Sequence, residues 1–226
     1  MRLRSSAVVA IAVAAASILM VVVALRTTWY HQVHTDIIST TDQEFRDEIQ
    51  WSLDGEYIVY SDGKDFFSFE EGANFWEELE PMHSFTERLQ IILTIGAVLS
   101  GLWATLVYFE KRLLGLAAGL GSGVLFGSAA LIFYMGFGNA YTASDLPGVY
   151  RDFTEFFVNS TDPGFLTTTD VWGPMSGWWL AIAACIVQIG GLAVVAVLRR
   201  RSSRTARDTR PSLSPSAQPS DPSRQQ

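Results

Sequence analysis

The sequence predicts an all-α membrane protein, an antiparallel four-helix transmembrane bundle with a small mixed α/β cap on its extracytoplasmic side. Three observations lead there. Four apolar runs, near Ala7–Leu25, Leu89–Phe109, Leu113–Phe137 and Gly177–Leu198, each span about 19 residues or more. At a rise of about 1.5 Å per residue, each can cross a hydrocarbon core of about 30 Å. None contains a charged side chain. The basic residues flanking the runs fall on one side if every run spans.

The N-terminal segment, residues 1–6, carries Arg2 and Arg4 and reads as cytoplasmic. The first run, 7–25, follows a charged start, as a signal peptide would. Its core exceeds the usual 7–15 residues of such peptides, and no clear small-x-small site follows it, so an uncleaved anchor is expected.

Residues 26–88 form an acidic outer loop. Between 26 and 87 the chain carries 15 of its 23 acids and only three bases, Arg26, Arg46 and Lys64. Thr41-x-x-Glu44 reads as a capping box opening a short helix near Asp42–Ser52. Glu56–Tyr60 and Asp65–Phe69 read as strands joined by Ser61-Asp62-Gly63-Lys64, a hairpin turn sequence. Asn74–Glu80 reads as a second short helix stopped by Pro81. Ser84-x-x-Glu87 is a further capping box, and it starts the helix of the second run (89–109) outside the bilayer.

A tight turn, 110–112, joins the second run to the third (113–137) and carries Lys111 and Arg112. The second outer loop, 138–176, has breaks at Leu146-Pro147-Gly148 and Thr161-Asp162-Pro163-Gly164. Between them, Val149–Val158 is aromatic-rich and reads as a short amphipathic helix. The fourth run, 177–198, leads into a Ser-, Pro- and Arg-rich tail, 199–226, expected to be cytoplasmic and disordered from Ser202 onward.

Charge fixes the orientation. The net charge of −7 conceals an acidic loop and a basic tail with seven arginines and two aspartates. Placing all three basic clusters in the cytoplasm puts both termini there and both loops outside, at the cell membrane. Trp29, Tyr30, Phe133, Tyr134, Trp172, Trp178 and Trp179 then fall near the outer interface, and Tyr108 and Phe109 near the inner one. Anionic lipid is the expected neighbour of the Arg-rich tail. Cys185 is the single cysteine, so no intrachain disulfide holds the cap together.

The strongest motif is Gly115-x3-Gly119-x3-Gly123-x3-Gly127. Spacing of four places these glycines on one helical stripe, and in lipid such a stripe permits close helix approach. The second run offers Gly96-x3-Ser100 and Gly101-x3-Thr105 as matching faces. The stripe reads as packing within the bundle, with a homo-oligomer seam as the alternative. Gln188, Ser100, Thr94 and Thr105 are the polar groups expected to bond between helices.

His31, His34 and Asp36 follow the first run and His83 precedes the second; imidazoles with a carboxylate suit zinc or copper. Asn159-Ser160-Thr161 fits the N-glycosylation pattern. The outer segments are rich in aromatics, and Phe66, Phe67, Phe153 and Phe156 are the candidates for a partner-binding patch. No Walker-type loop, Gly-x-Ser-x-Gly or His-Glu-x-x-His is present, and no Asp, Glu, Lys, Arg or His lies within a run. No catalytic residue, cofactor or nucleic-acid partner is expected.

The long first outer loop with its hairpin, the tight inner turn and the shorter second loop resemble the layout of claudin-like four-helix proteins. The cysteine pair and tryptophan motif of that family's first loop are missing, and no residue role carries over. The expected function is a non-enzymatic interaction, assembly or accessory subunit that meets a protein partner, or a second copy, through its cap. The alternatives are a small transport or channel component and an outer-surface metal-binding protein.

Overall fold

A computed structural model describes residues 5–38, 43–53, 57–61, 64–68, 80–143, 159–162 and 166–208. The element order is α1 (Ser5–Ala24), β1 (Thr28–Ile38), β2 (Gln43–Ser52), β3 (Tyr57–Ser61), β4 (Lys64–Ser68), α2 (Glu80–Tyr108), α3 (Arg112–Ala143), β5 (Asn159–Asp162), β6 (Leu166–Pro174) and α4 (Ser176–Asp208). All four helices are long and apolar enough to cross a membrane. The helices expected within 74–80 and 149–158 lie outside the described residues, apart from Glu80 at the start of α2.

The four helices form a closed ring in which α1 packs on α2 and α4, and α3 packs on α2 and α4. Outward faces are apolar: Leu19, Val98, Val124 and Ile186 are all more than half exposed. Inward faces carry small residues. Ala7, Ala10, Ala14, Ser17, Val21 and Ala24 line the buried side of α1. A helix that is apolar outward and small or polar inward is suited to lipid rather than water.

The glycine stripe lies inside this ring. A Cβ on Gly119 would stand 2.5 Å from Leu192 Cδ2 of α4 and 2.8 Å from Trp103 Cδ1 of α2. One on Gly123 would stand 2.5 Å from Ile189 Cδ1, and one on Gly127 3.2 Å from Cys185 Sγ. Gly115 leaves ordinary contact with α2. On α2, Gly96 faces Phe126 of α3, and Gly101 faces Ile18 of α1 at 3.9 Å. The stripe therefore lets α4 approach α3 closely within one chain.

The turn between α2 and α3 ends α2 with a Schellman arrangement. Lys111 N–H donates to Leu106 O at 2.9 Å and Glu110 N–H to Val107 O at 3.2 Å. Glu110 takes φ 60°, the left-handed conformation this motif requires and usually gives to glycine.

The six strands form one antiparallel sheet in the order β4-β3-β2-β1-β6-β5. The segment between α1 and α2 and the segment between α3 and α4 thus build a single sheet. The helix expected near Asp42–Ser52 is a strand instead. Its register with β1 runs from Ile38↔Gln43 to Thr28↔Ser52. Glu44, Arg46, Glu48 and Gln50 alternate with Phe45, Ile49 and Trp51, and ladders on both sides make that period decisive. The cap is accordingly all strand among its described residues, not mixed α/β. The expected hairpin corresponds to β3 and β4, paired with Ser61 opposite Lys64. At the far end, α4 continues to Asp208, into the stretch whose composition predicts disorder.

Candidate interaction surface

β1 leaves α1 after three residues, and β6 enters α4 after one. The adjacent strands β1 and β6 are therefore extensions of two neighbouring helices, α1 and α4. Met175 N–H donates to Trp29 O at 2.9 Å where the strands give way to helix.

An aromatic collar fixes this junction. The β1–β2 register shifts between Thr28 and Tyr30, leaving Trp29 as an extra residue in a bulge. The bulge lets two adjacent side chains, Trp29 and Tyr30, both turn into the core. Trp29 packs on Phe133 of α3 at 5.1 Å between ring centroids, and its indole N–H donates to Ala24 O at 2.6 Å. Tyr30 packs on Phe137 of α3 at 4.6 Å. Phe85 of α2, partly buried, approaches both phenylalanines, and the buried Trp51, Leu53 and Met82 complete the cluster. Gly177 at the start of α4 lies directly under the Trp29 indole, where no Cβ fits. Gln90 of α2 donates its amide N–H to Leu53 O, a further tie between helix and sheet.

The face of β1 and β2 that carries positions 31, 46, 48 and 50 is polar. His31 Nε2 lies 2.8 Å from Glu48 Oε1, and Gln50 Nε2 donates to the same oxygen at 2.7 Å. Arg46 Nη2 reaches Glu48 Oε2 at 3.4 Å, and Thr28 Oγ1 donates to Gln50 Oε1 at 3.2 Å. Burial works against the Glu48 carboxylate, but the hydrogen bonds from Gln50 and His31 and the charges of His31 and Arg46 outweigh it. They hold its pKa below the ordinary glutamate value. This network is internally satisfied. It stiffens the sheet and presents a mixed-charge face.

β1 carries the expected metal set, but not on one face. Residues three or five apart on a strand fall on opposite sides, so position 31 is separated from 34 and 36. The side chains of His34 and Asp36 lie outside the described residues. His83 sits on α2, where its carbonyl accepts from Thr86 Oγ1 at 3.0 Å. Among the described residues, no three His, Cys, Asp or Glu side chains group as a metal ion would need.

Of the candidate partner residues, Phe66 and Phe67 lie on β4, the strand at one edge of the sheet. β5, which carries Asn159-Ser160-Thr161, forms the other edge. Phe153 and Phe156 lie outside the described residues.

The bundle encloses a polar layer, of which the sequence pointed to Ser100 and Gln188 but not to Ser17 and Ser122. Ser17, Ser100, Ser122 and Gln188, one from each helix, are all fully buried. Ser100 Oγ donates to Gln188 Oε1 at 2.9 Å, and Ser122 Oγ donates to Gly96 O at 2.8 Å. Ser100 and Gln188 thus bond between helices as their chemistry suggests. Thr94 and Thr105 face outward, and Thr105 bonds only within its own helix. The available signal was one small polar residue or glutamine at similar depth in each run.

No family model matches this chain, and no curated protein does either.

Proposed function

We propose that this chain is a multi-pass protein of the cell membrane, with both termini cytoplasmic. In this reading its extracytoplasmic sheet is a docking platform for a protein partner, and its role is non-enzymatic assembly or accessory binding. The observation that carries the reading is the junction: a buried aromatic collar clamps one continuous sheet onto the bundle. A rigid platform at fixed height suits recognition, because little ordering entropy is lost on binding. Phe66 and Phe67 on the β4 edge support an edge-strand contact, in which a partner strand extends the sheet and side chains give specificity. A second copy of the chain is the homotypic form of the same contact.

A filled bundle axis favours this over a channel. Trp103, Phe126 and the Ser100–Gln188 pair are fully buried among the described residues. The basic residues at the far end support the orientation and the expected contact with anionic lipid.

Cysteine labelling tests the orientation. Ser61→Cys on β3 should react with an impermeant reagent from outside, and Ser212→Cys in the tail only after permeabilisation; the reverse pattern overturns the layout. Lysine at position 66 or 67 tests the platform. Loss of a cross-linked partner band at unchanged thermal midpoint supports the edge contact, whereas retention of the band removes β4 from the surface.

A further inference from the structure

At the end of the bundle away from the sheet, α2, α3 and α4 leave a groove of about 450 Å³ between them. Its wall is apolar, built from Trp103 of α2, Leu116 of α3 and Leu192 of α4. Its mouth carries Arg112, the first residue of α3, with Arg199 and Arg200 of α4. Arg112 is far in sequence from Arg199 and Arg200 and meets them only through the fold. Arg199 Nη2 donates to Val107 O at 2.9 Å, capping the C-terminal end of α2 and fixing its guanidinium at the mouth. At this end, residues 110–112 and 199–201 hold five bases, Lys111, Arg112, Arg199, Arg200 and Arg201, against one acid, Glu110.

We propose that this groove binds one anionic phospholipid, its phosphate held by Arg112, Arg199 and Arg200 and an acyl chain lying along Trp103, Leu116 and Leu192. A soluble anion would engage the arginines and leave the apolar wall wet. A zwitterionic lipid would cover the wall but bring a quaternary ammonium beside its phosphate, which the guanidinium cluster repels. An anionic amphiphile satisfies both, with charge-assisted hydrogen bonds at the head and apolar burial along the tail. The depth agrees: Arg112 and Arg199 stand where the apolar runs end, at the level of lipid headgroups. The volume is that of a specific small-molecule site, which is about 300–1,000 Å³. The proposal rests on the membrane reading above and goes beyond diffuse attraction of the tail.

The test is native mass spectrometry of the full chain, stripped of lipid in mild detergent and titrated with phosphatidylglycerol or phosphatidylcholine bearing identical chains. One phosphatidylglycerol per chain should be retained, with a preference of roughly tenfold or more, since each basic residue near a lipid surface contributes about a fivefold effect. Arg112→Gln/Arg200→Gln should abolish the preference. Arg201→Gln/Arg204→Gln, which removes the same charge outside the groove lining, should preserve it. Leu116→Trp should lower retention with all arginines present, and millimolar inorganic phosphate should leave the lipid in place. Circular dichroism confirms that each variant keeps its helices. Equal loss in both double variants means diffuse attraction only and overturns the proposal. So does a Leu116→Trp protein that retains lipid normally, or displacement of the lipid by phosphate. A protein that stays in vesicles without lipid preference defeats this proposal alone; one that does not associate with vesicles at all defeats the membrane reading.

Discussion

Glu48 gathers three side chains of the sheet onto one carboxylate, and its charge is therefore tied to folding. Its pKa is lowered in the folded state, so its contribution to stability is present above the ordinary glutamate range and is lost as pH falls through and below about 4.3. Glu48→Gln should lower the thermal midpoint at pH 7, and the gap to wild type should close on acidification through that range. A gap that stays constant with pH would mean that shape, not charge, matters at this position. Glu110 is a second informative residue. It adopts φ 60° without being glycine, a conformation that costs an L-residue about 1 kcal/mol. Glu110→Gly should raise stability in detergent by about that amount, measured by thermal unfolding, because the Schellman bonds of the turn remain.

At the scale of elements, glycines on the packed helices α3 and α4 have opposite sensitivities. A Cβ on Gly119 meets Leu192 and Trp103, whereas one on Gly190 meets nothing within 4 Å. Gly119→Ala should destabilise by about 1–3 kcal/mol through overpacking. Gly190→Ala should be neutral or stabilising by up to about 1 kcal/mol, because alanine is the better helix former. Thermal midpoints in one detergent check both. The helices were legible in the sequence because uninterrupted apolar length has few competing explanations. The stripe was legible as a face, but its partner helix was not, since spacing alone cannot say which neighbour fills it. β2 was misread because Thr41-x-x-Glu44 is a local signal, while the period that overrides it needs partners on both sides. β1 was missed for a related reason. Trp29 and Tyr30 fit an interfacial belt, and its other partner, β6, lies far along the chain. The groove arginines were visible as charge, but their meeting place depends on how α3 and α4 pack.

For the whole molecule, the junction between sheet and bundle sets the architecture. Paired strands run about 4.8 Å apart, while packed helices are about 8–10 Å apart. α1 and α4 must converge to feed β1 and β6, and Ala24, Gly177 and Ala181 supply the lack of bulk there. Trp29 then seals the space above. Trp29→Ala should cost about 3–5 kcal/mol, as for other large aromatic truncations in a core. Gly177→Leu should be as damaging, because it drives a side chain into the indole. If the collar unites the two parts, Trp29→Ala should also expose the sheet strands to hydrogen exchange before the helices. Simultaneous exchange of both would show that they do not depend on this residue separately.

A clamped junction also settles how the protein meets bilayers of different thickness. With strand joined to helix by one to three residues and by the collar, a thinner hydrocarbon layer would be accommodated by tilting the molecule as one body. β1 has 11 residues and so rises roughly 35 Å. A tilt of about 20°, ordinary for a membrane helix, would swing its far end by roughly 12 Å. Lipid composition would thus steer the β4 edge toward or away from whatever stands beside it, turning bilayer thickness into lateral reach.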